Sequence, residues 1–342
     1  MREIKPNKKS ILSKIFVKLC RLFGFEIIDQ SNFYAPTLEK EINENLSKAG
    51  KSSITIPLGK IQITRAVKSL DIILRTCMSV NMLSQSKKRI FEKNKDEYTK
   101  RTLRSLTKSV NNAKNIFNNT RFKIYIVDHN STKSQLSVLK EILEESKIEF
   151  QIINLEIEKF STYIKKINEE NKNVTENQKS NMSNIHQSLF LCKENSEDLT
   201  YFVEDDYIHE KFSISEILYT YEKISSLTKR ELIICPSDYP YLYTQAENTK
   251  IFLGENIHWR KVDQTLCTFL TSKKIIDKYW VDFTNMCKIE HYPFEKPLHK
   301  IYKSELCISP IPSLAVHFTN VNSIYGVSPN VDWKRIWDEN EN

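Results

Sequence analysis

The 342-residue chain holds only 5 glycines, Gly24, Gly50, Gly59, Gly254 and Gly326, and each stands alone. Neither a G-x-G-x-x-G turn nor a Walker-type loop can be assembled from them, which excludes a glycine-lined phosphate cradle. The 7 cysteines, at positions 20, 77, 192, 235, 267, 287 and 307, form no C-x-x-C pair and no zinc spacing. An odd, scattered set on mostly apolar segments reads as reduced thiols of a cytoplasmic protein. No apolar run approaches the ~20 residues that a membrane-spanning helix needs. The opening residues also lack the uninterrupted apolar stretch and small-residue cleavage site of a signal peptide.

What is present is the composition of a folded protein, 40% apolar with 17 Phe and 15 Tyr. The net charge of +8 points to an anionic partner: nucleic acid, lipid headgroups or a phosphorylated small molecule. The basic residues are spread along the chain and are not grouped with aromatics, which ranks nucleic acid last.

Residues 1–50 read as an appendage. Ile11, Leu12, Ile15, Phe16, Leu19, Leu22 and Phe23 recur at helical spacing, with Lys9, Lys14, Lys18 and Arg21 between them. Such a basic amphipathic helix, over residues 8–23, suits peripheral contact with an anionic membrane face or docking on the protein's own core. Residues 31–51 have the polarity of a linker.

Strand and helix patterns alternate from Ser69 onward. Apolar, β-branched runs at 69–74, 122–127, 149–154, 199–203 and 231–235 read as buried strands, with helices over 92–114, 132–146 and 215–225 between them. Residues 156–181 are rich in Lys, Glu and Asn and read as a surface insertion without chemistry, followed by a helix capped by Ser183 or Asn184. A sixth strand is expected over 265–270, and an irregular tail after His317. The order is that of an α/β fold with a mostly parallel sheet flanked by helices. The expected division is a catalytic domain over 51–318, with a nucleotide-binding half at 51–206 and an acceptor half at 207–318, then a tail at 319–342.

The chemistry concentrates at Glu204-Asp205-Asp206, three acids directly after a buried strand. Strand carboxyl ends in an open α/β sheet face the ligand crevice. Like charges held there repel unless a cation intervenes, and oxygen ligation of this kind suits Mn²⁺ or Mg²⁺ against a diphosphate. The alternative is that these acids serve the N-terminus of the helix that follows.

On these residues the chain resembles glycosyltransferases of the GT-A fold, in the style of the large inverting family two, over about residues 69–318. Asp128-His129-Asn130-Ser131 is similar to that family's V-D-D-G-S turn, with His and Asn in place of an acid and Gly. Val203-Glu204-Asp205-Asp206 is similar to its D-x-D motif, and His317 to a late histidine of the metal or diphosphate site. The resemblance implies transfer of a sugar from a nucleotide-diphosphate donor, a UDP- or GDP-sugar, to a hydroxyl of a glycan or lipid-linked acceptor. It further implies a divalent metal among Asp206, Glu204 and His317, and nucleotide contacts from Asp128, Asp205 and Arg75. The general base that inverting transfer requires would be Glu290, with Asp263 and Glu295 as rivals. Asp238, Tyr239 and Trp259 are candidates for the acceptor side, because aromatic faces with polar tips suit sugar rings. Surface polysaccharide or glycolipid synthesis at the inner membrane face would use such an enzyme. A sugar-phosphate nucleotidyltransferase is the alternative enzyme, and a nucleic-acid-binding protein the non-catalytic one.

Overall fold

The structure is a computed structural model that describes residues 10–25, 27, 53–56, 59–79, 89–244, 248–291, 293–320 and 322–341. The chain forms two compact units, one of Met1–Ser47 with Ser53–Ile61 and one of Lys48–Ser52 with Gln62–Asn342. The smaller unit holds helix α1 (Ile11–Leu22), strand β1 (Ser53–Ile56) and all but the last residue of strand β2 (Gly59–Gln62), and the two strands pair as a two-stranded sheet. Ser10 caps α1, its side chain accepting from the Ser13 N–H at 3.1 Å. The linker expected over 31–51 lies outside the described residues.

The larger unit begins with β3 (Ser69–Thr76), α2 (Lys95–Lys114), β4 (Arg121–Asp128), α3 (Lys133–Ser146) and β5 (Glu149–Asn154). Then come α4 (Glu176–Asn195), β6 (Leu199–Glu204), β7 (Tyr207–His209), α5 (Ser213–Thr228) and β8 (Leu232–Ile234). The remainder is β9 (Ile251–Leu253), β10 (His258–Lys261), β11 (Phe269–Ser272), α6 (Lys273–Lys278), α7 (Trp280–Lys288), α8 (Lys296–Tyr302), β12 (Leu306–Ile311), β13 (Ala315–His317) and α9 (Trp333–Asp338).

Nine strands form one sheet in the order β5-β4-β3-β6-β11-β8-β12-β10-β9. Every residue of β3 is buried, as a central strand covered on both faces requires. From β5 to β6 the neighbours are parallel, while β11 runs antiparallel to both β6 and β8. The α/β class is as expected, with the antiparallel pairings confined to the second half. Strand order reverses at β3: β4 and β5 extend to one side and β6 lies on the other. A ligand crevice opens outside the strand carboxyl ends at such a switch point.

Two segments differ from the sequence reading. Helix α4 starts at Glu176, seven or more residues earlier than expected, on a capping box between Thr175 and Gln178. The C-terminal segment carries α9, whose Ile336 and Trp337 are buried with Tyr98, Ile208, Val316 and Phe318. The Phe91 and Trp337 rings stack at 4.2 Å. Trp337 is therefore part of the core, not of a frayed end.

Candidate active site

At the switch point the ends of β3 and β6 lie side by side, with Arg75 opposite Glu204 in the register. The two form an ion pair at 2.9 Å that lacks hydrogen-bond alignment, and Arg75 also donates to Asn181 Oδ1 at 3.0 Å. The chain then turns through Asp205 and Asp206 into β7. Strand β13 pairs antiparallel with β7 and sets His317 against Tyr207, their rings stacked at 4.5 Å. That pairing brings His317 Nε2 to 3.4 Å from Asp206 Oδ2, across 111 residues of sequence.

A cavity of about 560 Å³ opens over these ends. Arg75, Glu204, Asp205, Asp206 and His317 all line it, so five of the expected site residues meet in one place. Lys95, Glu295 and one face of α4 line it too.

Each acid of the triplet has a basic neighbour. Asp205 Oδ2 accepts from the Cys77 N–H at 3.2 Å and the Thr99 hydroxyl at 3.1 Å, with Lys95 Nζ at 3.3 Å. Burial alone would raise the Asp206 pKa, but the His317 charge and hydrogen bond outweigh it and hold the carboxyl below its usual range. Burial would lower His317, and Asp206 and Glu204 outweigh it in the opposite direction. Glu204 is raised, because burial exceeds the compensation from Arg75. Glu295 is pushed up to about 7, first by burial and then by the Glu204 charge.

The His317 tautomer bears on whether a metal fits. Nδ1 lies 2.7 Å from the Tyr325 carbonyl, which can only accept, so Nδ1 carries hydrogen. In the neutral ring, Nε2 then points a lone pair at a carboxylate. That contact is repulsive unless a second proton or a cation lies there. A carbonyl holding the far nitrogen is also the usual support of a metal-binding imidazole. Among the described residues, no three His, Cys, Asp or Glu side chains stand together as a ready-made metal cage. Carboxylates such as those of Glu204 and Asp206 are the kind of ligand that a hard cation takes together with water and phosphate oxygens.

Other expected residues lie elsewhere. Asp128 is 1% exposed and does not line the cavity. Its Oδ1 accepts from the Thr76 hydroxyl at 2.7 Å and the Ser131 hydroxyl at 2.6 Å, and its Oδ2 from the Ser131 N–H at 3.1 Å. A direct contact to a base, as expected from the turn, is thus replaced by an internal role in shaping it. Asn130 takes φ 64° there, a left-handed conformation that Asn tolerates where the family turn has Gly.

Glu290 does not line the cavity. It accepts from Asn168 Nδ2 at 3.0 Å and from the Gln178 amide. Asp263 is exposed and pairs with Lys261 at 2.9 Å. Asp238 is fully buried between Arg260 and the Tyr243 hydroxyl, Tyr239 is 1% exposed and Trp259 is fully buried. None of these three lines the cavity, so they build the wall of the fold and not a sugar-stacking surface. Buried Tyr239 donates to or accepts from Tyr207 at 2.7 Å, and Trp259 Nε1 donates to Glu216 at 3.3 Å.

Sequence reasoning missed Lys95 and the α4 face of Asn177, Ser180, Asn181 and Asn184. The signal was there: these four polar residues recur at the i, i+3, i+4, i+7 spacing of one helical face.

No family model matches the chain, and no curated protein matches it. Among solved structures, a UDP-glucose pyrophosphorylase complexed with UDP-glucose is 8% identical, covering 80% of this chain and 97% of that one, with a TM-score of 0.38. The galactosyltransferase LgtC, in complex with donor and acceptor sugar analogs, is 10% identical, covering 79% and 95%, with a TM-score of 0.36. The glycosyltransferase GlyE of Streptococcus pneumoniae TIGR4 is 11% identical, covering 80% and 63%, with a TM-score of 0.37.

Proposed function

We propose that the chain is a glycosyltransferase that moves a sugar from a nucleoside-diphosphate donor to a hydroxyl acceptor. The supporting observation is the convergence of Glu204, Asp205, Asp206, His317, Arg75 and Lys95 on one cavity at the switch point. That mixture suits a diphosphate: cationic side chains bind its oxygens, and carboxylates hold a divalent ion against them.

Asp206, His317 and Glu204 would hold Mn²⁺ or Mg²⁺, which when bound neutralises the diphosphate as a leaving group. Arg75 and Lys95 orient the phosphates. Glu295 receives the proton of the acceptor hydroxyl, the role that the sequence assigned to Glu290. It lines the same cavity, opens α8, and has a pKa near neutrality, as a working base requires. A bond forms from the acceptor oxygen to the anomeric carbon while the bond from that carbon to the diphosphate breaks. Inverting transfer is the course that a single proton acceptor of this kind serves.

The test is incubation of the full chain with UDP- and GDP-sugars, Mn²⁺ and a panel of glycan acceptors. Released nucleoside diphosphate supports the proposal. Release of pyrophosphate from a nucleoside triphosphate and a sugar phosphate would replace it with the nucleotidyltransferase reading.

Helix α1 belongs to the same proposal as the contact with a membrane bearing the acceptor lipid. Ile11, Leu12, Phe16, Leu22 and Phe23 are all exposed, on the face opposite Lys14 and Arg21. No described helix is long and apolar enough to cross a membrane. Cosedimentation with vesicles containing anionic lipid, weakened by salt and abolished by Leu12→Glu with Phe16→Glu, is the expected result.

A further inference from the structure

The segment from Ile157 to Glu176 begins and ends on the cavity wall. Its root is packed, with Phe160 and Ile164 buried and the Phe160 ring edge-on to His186 of α4 at 5.1 Å. Its outer part is a tight hairpin: Ile167 bridges to Asn173, the Asn168 N–H donates to the Lys172 carbonyl at 2.9 Å, and Asn171 takes φ 60°. This hairpin leans on the stretch between α7 and α8. The Lys165 N–H donates to the Lys288 carbonyl at 2.9 Å and the Glu169 N–H to the Glu290 carbonyl at 3.1 Å. Lys296 Nζ meets Glu169 Oε1 at 2.5 Å. Glu295, itself on the cavity wall, therefore stands in a turn anchored on both sides, at Glu290 and at Lys296.

The Glu290 side chain is the knot of this contact. Its carboxylate accepts from Asn168 Nδ2 at 3.0 Å and from Gln178 Nε2 in the first turn of α4. Neither amide is free to turn round. Asn168 Oδ1 is held by the Glu170 and Lys172 N–H groups at 3.0 and 2.9 Å, and Gln178 Oε1 by the Thr175 N–H at 2.7 Å. Both amides thus aim N–H donors at one place. An ionised carboxylate, which only accepts, satisfies both, whereas an amide there would set one donor against another.

We propose that Glu290 is a positioning residue: by drawing Asn168 and Gln178 together it fixes the loop that carries Glu295, and so the distance from Glu295 to the acceptor hydroxyl. This rests on the glycosyltransferase reading with Glu295 as base, and adds to it the device that holds the base in place. Proton transfer needs heavy atoms within about 2.6–3.2 Å, so a small drift of the loop costs rate. Donor binding is spared, because the Thr175–Gln178 capping box and the bond from Arg75 to Asn181 hold α4 without Glu290.

The experiment compares the native full chain with Glu290→Gln, Asn168→Asp and the two changes together. Each protein is assayed for nucleoside diphosphate released from UDP- and GDP-sugars with Mn²⁺ and the glycan panel, and is titrated with UDP and GDP. Either single change should lower kcat about 10- to 100-fold while nucleoside-diphosphate affinity stays near native. The first sets donor against donor and the second acid against acid. In the paired variant the new amide donates to the new acid and accepts from Gln178, so most of the lost rate should return. Cys267 gives a reading that does not depend on turnover, since it is 5% exposed and donates to Glu295 Oε1 at 3.6 Å. Its alkylation should quicken in both single variants while buried Cys192 stays protected. Native kcat in Glu290→Gln, a loss that the paired change does not recover, or an equal loss of UDP and GDP affinity overturns the positioning role. So does faster alkylation of Cys192 alongside Cys267, which marks general loosening. A native chain that releases no nucleoside diphosphate from any of these sugars overturns the glycosyltransferase reading, and the role of Glu290 with it.

Discussion

His317 and Asp206 face each other at 3.4 Å, and the far nitrogen of the same imidazole is held at 2.7 Å by the Tyr325 carbonyl. The imidazole is thereby oriented, its Nδ1 held by the backbone and its Nε2 turned toward the carboxylate. The pairing of β7 with β13 creates this relationship, since neither residue is near the other in sequence.

Replacing Asp206 with Ala, or His317 with Ala, should remove the Mn²⁺-dependent part of nucleoside-diphosphate affinity, about 10- to 100-fold. Titration of UDP and GDP with Mn²⁺ and with EDTA measures it. An affinity for which Mn²⁺ still matters as much in Asp206→Ala would remove Asp206 from the metal site.

Glu295→Gln should lower kcat by about 10²- to 10⁴-fold while leaving donor affinity near that of the native chain. A base must be deprotonated, so native activity should rise with pH through the raised Glu295 value of about 7. The variant should lose that limb. Equal losses in kcat and in donor binding would mark Glu295 as structural instead.

Burial lowers His209 to about 3, and its Nε2 is 2.7 Å from the Tyr201 hydroxyl. The folded value lies below the ordinary value of about 6.5, so folding favours the neutral ring. The associated stability is complete above pH ~6.5 and is lost progressively as pH falls toward 3. The thermal midpoint should therefore drop between pH 7 and pH 4.5, and drop less in His209→Gln. A drop of the same size in both proteins would assign the acid sensitivity to other groups.

Gly254→Ala should destabilise the larger unit by about 1–3 kcal/mol. An added Cβ would sit 2.0 Å from Glu216 Oε1 and 2.9 Å from the Ile257 carbonyl. Glu216 cannot yield easily, since its carboxylate also accepts from the Glu255 and Asn256 N–H groups at 2.9 and 3.0 Å. Urea unfolding of the variant beside the native chain gives the difference directly.

Strands β3 and β6 were legible because burial on both faces makes a strand a nearly continuous apolar run. The run at Leu70–Leu74 and the one ending at Val203 are of this kind. The acid triplet was legible for the same reason, standing where such a run stops. The first turns of helix α4 were not, because residues 176–181 hold no apolar side chain and the face they present to the cavity is polar. Without an apolar side chain in those turns, hydrophobic periodicity begins only at Met182, and the sole periodic sign before it is the polar spacing of Asn177, Ser180, Asn181 and Asn184. The Thr175 and Gln178 capping pair marked its start. Glu290 and Glu295 are five residues apart, and no local pattern separates the one that points away from the cavity from the one that lines it. Asp238, Tyr239 and Trp259 have a composition that serves sugar contact and core packing equally, and their near-complete burial decides for packing.

Of the seven cysteines, five are buried and two, Cys20 and Cys77, are partly accessible. One lies on α1 and the other on the cavity wall, so each unit carries its own chemical handle. A maleimide dye placed at Cys77 would register ligand entry, and one at Cys20 would brighten on reaching lipid. The native chain thus supplies labelling positions for both of its proposed encounters, without added residues.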